Sequence, residues 1–202
     1  MDNGALLRAM ALRALTIMEA PAVSSSSCGG CTSGGDICCL ECDNEQLFCG
    51  DCIVSRHQFL PFHQLQRWNH AYFEKITLYS CGLILNMNHG PNLCPYVHHA
   101  SGPQDMTVMD VNGIHHVSVG WCRCLNAPSF PEQLFARRLF PASIQRPKTA
   151  FTFRSLKLFH MLNHVARTTP WDFTGTMKRL TDNVDVKGSP VSYSFSETPF
   201  GG

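Results

Sequence analysis

Seven of the eleven cysteines fall within residues 28–63, and no other feature limits the possible folds as tightly. They read Cys28-x2-Cys31, Cys39-x2-Cys42 and Cys49-x2-Cys52, with Cys38 as an extra neighbour, and the run closes on His57 and His63. A Cys-x-x-Cys pair turns tightly enough to bring two thiolates to one point, about 2.3 Å from a tetrahedral Zn²⁺. Three such pairs and two spaced histidines supply ligands for two closed sites. The gaps between pairs are short, so interleaved wiring is expected. Cys28, Cys31, Cys49 and Cys52 would hold one ion, and Cys39, Cys42, His57 and His63 the other. Cys39 is preferred to Cys38 because it repeats the spacing of the other pairs.

This spacing resembles a B-box or RING-type cross-brace. Disulfides would be the competing use of so many cysteines, but they belong to oxidising compartments. The N-terminal stretch imitates a secretory signal, being apolar with Ala20-Pro21-Ala22, yet it has no basic start, and Arg8 and Arg13 interrupt it. Two arginines without an acid over residues 3–18 fit an organelle transit peptide better, and the plain reading is a leader helix over residues 4–19 stopped by Pro21. No run approaches the length of a membrane span. An intracellular metal-binding chain is therefore expected, with no membrane and no small-molecule substrate.

Net charge of +1 conceals a segregation. Residues 1–122 carry five Lys/Arg against ten Asp/Glu, a balance of −5, whereas residues 123–179 carry ten against two, a balance of +8. Arg137, Arg138, Arg146, Lys148, Arg154 and Lys157 lie close together in that basic part and are the candidate nucleic-acid contacts. Charge excess alone describes a solvated face as readily as a phosphate-binding one.

Beyond His63 the text changes. QLQRWNHAYFEKI places Leu65, Trp68, Tyr72 and Phe73 at helical spacing, as a packed stripe would. LYSCGLILNMN reads as a strand with Cys81 as a small buried hydrophobe. MTVMDV and IHHVSVGW flank Asn112-Gly113, a strong hairpin signal because a type I′ turn needs positive φ at both central positions. With those two residues central, Cys122 would lie opposite Pro103, returning the loop of Cys94, His98 and His99 to Cys122 and Cys124. A third site from Cys94, one of His98 and His99, Cys122 and Cys124 follows; His115 is too far along the strand to join it. EQLFARRLF suggests a short helix or strand. PKTAFTFRSLKLFHMLNHVART reads as a helix burying Phe153, Leu156, Phe159 or His160, Leu162 and Val165. His160 and His164 lack the Glu of an H-E-x-x-H site and read as structural or surface residues. Thr169-Pro170 opens a last helix with Phe173, Met177 and Leu180 as its apolar face, and residues 185–202 read as a disordered tail.

The order of these blocks resembles one family over about residues 39–183. LFCGDCIVSRHQFLPFHQLQRWNHAYFEKITL, GLILNMNHG with Cys94-Pro95, MDVNGIHHVSVGWCRC, FPASIQRPKTAFTFRSLKLFH and WDFTGTMKRLTDN are similar to the second class of CxC-type cysteine-cluster domains associated with fungal KDZ (Kyakuja–Dileera–Zisupton) transposases. The resemblance implies zinc chelation, a nuclear setting, and recognition of nucleic acid or of a partner. It assigns Cys39, Cys42, Cys49, Cys52, His57 and His63 to a first cluster and Cys94, Cys122 and Cys124 to a second. In that family a long catalytic domain follows. Cys81 departs from the family's aliphatic residue, and PVSYSFSETPFGG departs from the continuation, so the chain reads as an accessory region or a truncated remnant.

The acids after Asp110 are scattered, whereas metal-dependent DNA cleavage needs them clustered, so no enzyme is expected. The expected fold class is α+β: a leader over 1–27, a B-box-like zinc module over 28–66, a β-rich cysteine-cluster module with a zinc-clipped hairpin over 67–146, a helical segment over 147–184 and the tail. About three Zn²⁺ are expected. The partner is DNA, or, if the first module is a protein-interaction surface, a transposase catalytic domain or a second copy of the chain.

Overall fold

Turn chemistry and strand alternation account for most elements of the computed structural model, which describes residues 3–18, 27–42, 46–96 and 102–182. The leader forms α1 (Asn3–Met18), with Leu6, Leu7, Met10, Leu12 and Leu15 exposed. The tail over 185–202 lies outside the described residues. Among the described residues, no helix is long and apolar enough to cross a membrane. The chain divides into two units, Met1–Cys81 and Gly82–Gly202.

In the first unit, β1 (Ile37–Cys39), β2 (Leu65–Trp68) and β3 (Phe73–Ile76) form an antiparallel sheet in that order. The helix expected over Gln64–Ile76 is instead a hairpin. Asn69 turns the chain, its Oδ1 accepting from the N–H groups of Ala71 and Tyr72 at 3.0 and 2.9 Å, while His70 takes φ of 74°. An Asx turn offers the backbone what a helix would otherwise supply. Trp68 and Phe73 then face each other across the strands, ring centroids 5.1 Å apart, and Tyr72 is left exposed. This pairing carries the metal-bearing unit past the boundary expected at residue 66. A two-turn helix, α2 (Gly50–Arg56), buries Ile53, and Ile37, Phe48 and Leu65 are buried in the same unit as its small core. Gly35 is required there: a Cβ would meet the Leu47 carbonyl oxygen at 2.8 Å.

The second unit is built on a mixed five-stranded sheet of order β4-β6-β5-β8-β7. Its strands are β4 (Ile84–Asn86), β5 (Gln104–Asp110), β6 (Gly113–Gly120), β7 (Leu139–Pro141) and β8 (Thr149–Thr152). Helices α3 (Phe130–Ala136), α4 (Phe153–Ala166) and α5 (Pro170–Thr181) complete it. The hairpin is present, but Asp110 pairs with Gly113, so the central residues are Val111 and Asn112 and the expected register is corrected. The reason lies in what covers the turn. Gly113, at φ of 140°, sits so close under α5 that a Cβ would meet Thr181 Oγ1 at 2.8 Å, and the Ile114 N–H donates to that oxygen at 2.6 Å.

Residues 149–152 begin the predicted helix in sequence but form β8, parallel to β5 and antiparallel to β7. The sheet therefore crosses the expected division at 146/147. Thr152 then caps α4, accepting from the Ser155 N–H at 3.1 Å. The inward stripe of α4 is the buried Ser155 with the partly buried Leu158, Phe159 and Leu162, these three packed against Met109, Ile114, Phe173 and Met177. Phe153 and Val165, expected inside, are 44% and 76% exposed. On α5 the capping box of Thr169 and Asp172 is present and Phe173 and Met177 are buried, while Leu180 is not.

Candidate metal centres

Three Cys/His tetrads come together, each able to hold a metal ion. In the first unit the groups are Cys28, Cys31, Cys49 and Cys52, and Cys39, Cys42, His57 and His63. One short helix serves both. Cys49 is the N-cap of α2 and Cys52 stands three residues on, the same side of a helix, while His57, its C-cap, lies about 140° further round from Cys52. Strand alternation decides the Cys38–Cys39 pair: Ile37 and Cys39 share a face, whereas Cys38 points the other way, toward Gln66. Cys38 and Cys81 belong to none of the three tetrads.

The spacing within each tetrad fits a small tetrahedral ion. Zn–S of about 2.3 Å and Zn–N of about 2.0–2.1 Å place ligand atoms about 3.8 Å apart for S···S and about 3.6 Å for S···N. Cys31 and Cys49 sulfurs are 3.7 Å apart. Nδ1 of His63 lies 3.4 and 3.5 Å from the sulfurs of Cys39 and Cys42, and Nε2 of His57 lies 3.5 Å from Cys42. The His57 Nδ1–H donates to the Ile53 carbonyl at 2.8 Å, which fixes Nε2 as the ligand nitrogen. Burial holds that imidazole below its ordinary pKa, so it stays neutral as a ligand must.

Backbone N–H groups prepare the sulfurs for charge. Those of Cys49 and Gly30 donate to Cys28 Sγ at 3.2 and 3.4 Å, and the first of them chiefly draws that thiol down to about 6. Crowding works against further ionisation. Cys52, beside the Cys49, Cys28 and Cys31 sulfurs, is pushed up to about 12, and burial pushes Cys39 to about 12. Thiolates packed this closely need a cation among them, and a bound ion deprotonates them outright.

The third tetrad is His89, Cys94, Cys122 and Cys124. His89 was not singled out by its sequence context, and His98 and His99 lie outside the described residues. Strand pairing explains the meeting. Asn86 pairs in parallel with Gly120, so β4 and β6 leave the sheet at the same edge, and His89, three residues on, reaches Cys122, two residues on. Positive φ at Asn88 and Gly90 bends the loop there. His89 Nε2 stands 3.2 Å from Cys122 Sγ and 3.4 Å from Cys124 Sγ, and the Cys94 and Cys124 sulfurs are 3.9 Å apart. The Arg123 N–H donates to Cys94 Sγ at 3.4 Å.

Two further side chains hold this loop, and no motif advertised either. The buried Gln133 clamps the Cys122 backbone, its Oε1 accepting from N–H at 2.9 Å and its Nε2 donating to the carbonyl at 3.0 Å. Arg137 donates from Nε and a terminal nitrogen to the Asn86 carbonyl at 3.2 and 2.5 Å, fixing the end of β4. A family model for the CxC2 like cysteine cluster associated with KDZ transposases matches residues 78–185, and all four residues of the third tetrad fall inside it.

The chain belongs to that family. The CxC2 match covers the whole described sheet of the second unit and begins after the first two tetrads, which accompany the CxC2 region without being part of the match. No curated protein matches the chain, and no solved structure does.

The basic residues are distributed unevenly. Arg154 pairs with the buried Asp110, which also accepts from Thr152 Oγ1 at 2.6 Å, and Arg137 is committed to Asn86. Arg138, Arg146, Lys148 and Lys157 are exposed and take part in none of the ion pairs found among the described residues. His160 and His164 lie exposed on α4 and join no tetrad.

Proposed function

We propose that this CxC2 chain is a zinc-organised accessory region of KDZ transposition, nuclear in setting, that contacts nucleic acid through the basic surface of its second unit. The observation that carries the reading is the set of exposed cations, Arg138, Arg146, Lys148 and Lys157, without carboxylate partners among the described residues, in a region whose family is associated with KDZ transposases. Lys/Arg that meet phosphates release counterions, which makes such a surface favourable for DNA. Zinc is favoured as the ion by the Cys/His donor sets and their tetrahedral spacing. On this reading the first unit is a B-box-like cross-brace, with two ions tying its knuckles to α2.

No catalytic step is assigned to the chain. Asp110 is buried under Thr152 and Arg154, Glu132 and Asp172 close capping boxes, and Asp105 lies beside His116. Those four carboxylates are therefore engaged in the fold, and zinc-filled thiolates are closed ligands.

The test is DNA affinity of the zinc-loaded chain as a function of salt. The logarithm of affinity should fall with a slope near −0.9 per neutralised phosphate. Changing Arg138, Arg146, Lys148 and Lys157 to Gln should flatten that slope and weaken binding to duplexes of any sequence alike. A second reading rests on Leu40, Phe59, Leu60 and Tyr72, all exposed on the first unit. There the first unit would bind a transposase catalytic domain or a second copy. A chain without salt-dependent DNA binding that self-associates, and loses self-association in Leu40→Ser/Phe59→Ser, would favour it.

A further inference from the structure

Beside the third tetrad the second unit carries a bay of about 540 Å³ lined by Gln104, Asp105, Trp121, Arg123, Phe130 and the Arg146–Lys148 loop. Its floor is aromatic: Trp121 and Phe130 pack with centroids 4.6 Å apart, and Trp121 is only 2% exposed. The Arg123 guanidinium lies over the Phe130 ring, 5.3 Å from its centroid. Arg146 and Lys148 add two cations that pair with no carboxylate among the described residues.

The bay is held open from two sides. Arg123 stands between Cys122 and Cys124, its N–H bonded to Cys94 Sγ, so the metal loop fixes one wall. Lys148 is fixed on the other, its carbonyl accepting from the Thr107 N–H of β5 at 2.9 Å. Polar edges complete it. Gln104 Oε1 accepts from the Trp121 indole N–H at 3.1 Å, leaving its amide hydrogens to donate, and the Asp105 carboxylate can accept.

We infer that this bay takes one unpaired nucleotide of a single-stranded nucleic acid, phosphate toward Arg146 and Lys148 and base over the Arg123–Phe130–Trp121 stack. The inference rests on the nucleic-acid reading above and specifies its site. Unpaired bases stack on aromatic rings and on guanidinium planes while cations follow the backbone. A volume of about 540 Å³ is that of a small-molecule site, larger than a lone anion fills. A base still paired and stacked within a duplex has both faces covered by its neighbours and cannot lie over that ring stack. An acidic peptide would meet the cations but would also place carboxylates beside Asp105, whereas an unpaired base can donate to that carboxylate through an N–H of its free pairing edge.

The experiment uses the full zinc-loaded chain with a labelled oligothymidylate, a labelled blunt duplex of the same length, and oligoglutamate as competitor. The oligothymidylate should bind. Arg146→Gln/Lys148→Gln should weaken it roughly tenfold or more, and Arg123→Gln roughly fivefold or more, since stacking is sensitive to its platform. Arg138→Gln/Lys157→Gln, outside the bay, should weaken duplex binding by a larger factor than it weakens the single strand. Both surface doubles avoid the core, and zinc content checks the fold of Arg123→Gln. If the chain binds neither nucleic acid, this inference and the nucleic-acid reading both fall. If it binds duplex but not the single strand, or if the groove variants bind the single strand like wild type, this inference alone falls. Displacement by oligoglutamate as effective as by unlabelled oligothymidylate overturns the nucleotide assignment.

Discussion

His89→Ala tests the assignment least expected from the sequence. The ring nitrogen stands 3.2 and 3.4 Å from two sulfurs of its tetrad, close to the about 3.6 Å that a shared Zn²⁺ sets between sulfur and nitrogen ligands. Structural zinc sites contribute about 10–16 kcal/mol of apparent binding free energy, or about 2.5–4 kcal/mol per ligand. Loss of one ligand therefore weakens the third ion about 10²–10³-fold, toward the lower end because water can take the open position. Competition against a chromophoric chelator reads this directly. His89→Ala should surrender one ion of three early, His89→Cys should restore tight binding, and His98→Ala and His99→Ala should titrate like wild type. Three tight ions in His89→Ala, or loss of the third in His98→Ala or His99→Ala, would refute the ligand assignment.

Three other outcomes follow from the same geometry. Cys38→Ser and Cys81→Ala should leave the zinc content unchanged by elemental analysis, whereas Cys49→Ser should lower it, since only Cys49 belongs to a tetrad. Gln133→Leu keeps the side chain's bulk but strands the Cys122 N–H and the Cys122 and Pro128 carbonyls. At about 1–3 kcal/mol for a buried group left unpaired, denaturant unfolding should show a loss of at least about 2 kcal/mol, with the third ion held about 10–100-fold more weakly. Chelation of all zinc should separate the two units in stability, for the reason developed below.

The sequence carried the first unit's tetrads because local spacing alone decides them: each Cys-x-x-Cys closes its own knuckle, and only the partner knuckle had to be inferred. The third tetrad was half legible. Cys94, Cys122 and Cys124 could be grouped, but His89 joins them through the parallel pairing of β4 with β6, a long-range contact that no local pattern encodes. Helical spacing misled at Trp68, Tyr72 and Phe73 because three aromatics fit either period over so short a run, and the Asn69 turn decided for strands. At residues 149–152 the apolar pattern ran unbroken from strand into helix, and only the Thr152 cap marks the change. Charge patterning located the basic region without its use: Arg137 and Arg154 serve the fold, and Arg123, between two cysteines of the third tetrad, lines the bay.

The two units should respond differently when their metal is withdrawn. In the first, Ile37, Leu47, Phe48, Ile53, Leu65 and Leu78 are the larger buried apolar residues, a core of the size that small domains supplement with metal or disulfides. Its knuckles and α2 are ordered around two tetrads, so the about 10–16 kcal/mol from each ion is folding free energy there. The second unit buries Met106, Val108, Val117, Val119, Trp121, Leu134, Leu139 and Ala150, none of them a ligand, along a five-stranded sheet, with Phe173 and Met177 closing it from α5. Its tetrad ties down only the loops after β4 and β6. Hydrogen exchange of the full chain after chelation should therefore show prompt loss of protection at Ile37, Ile53 and Leu65. Residues 87–94 and 122–127 should open, while Val108, Val119 and Ala150 stay protected. Protection lost together in β5, β6 and β8 would show that the third ion supports the whole sheet; protection retained at Ile37 and Ile53 would show that the first unit folds without its ions.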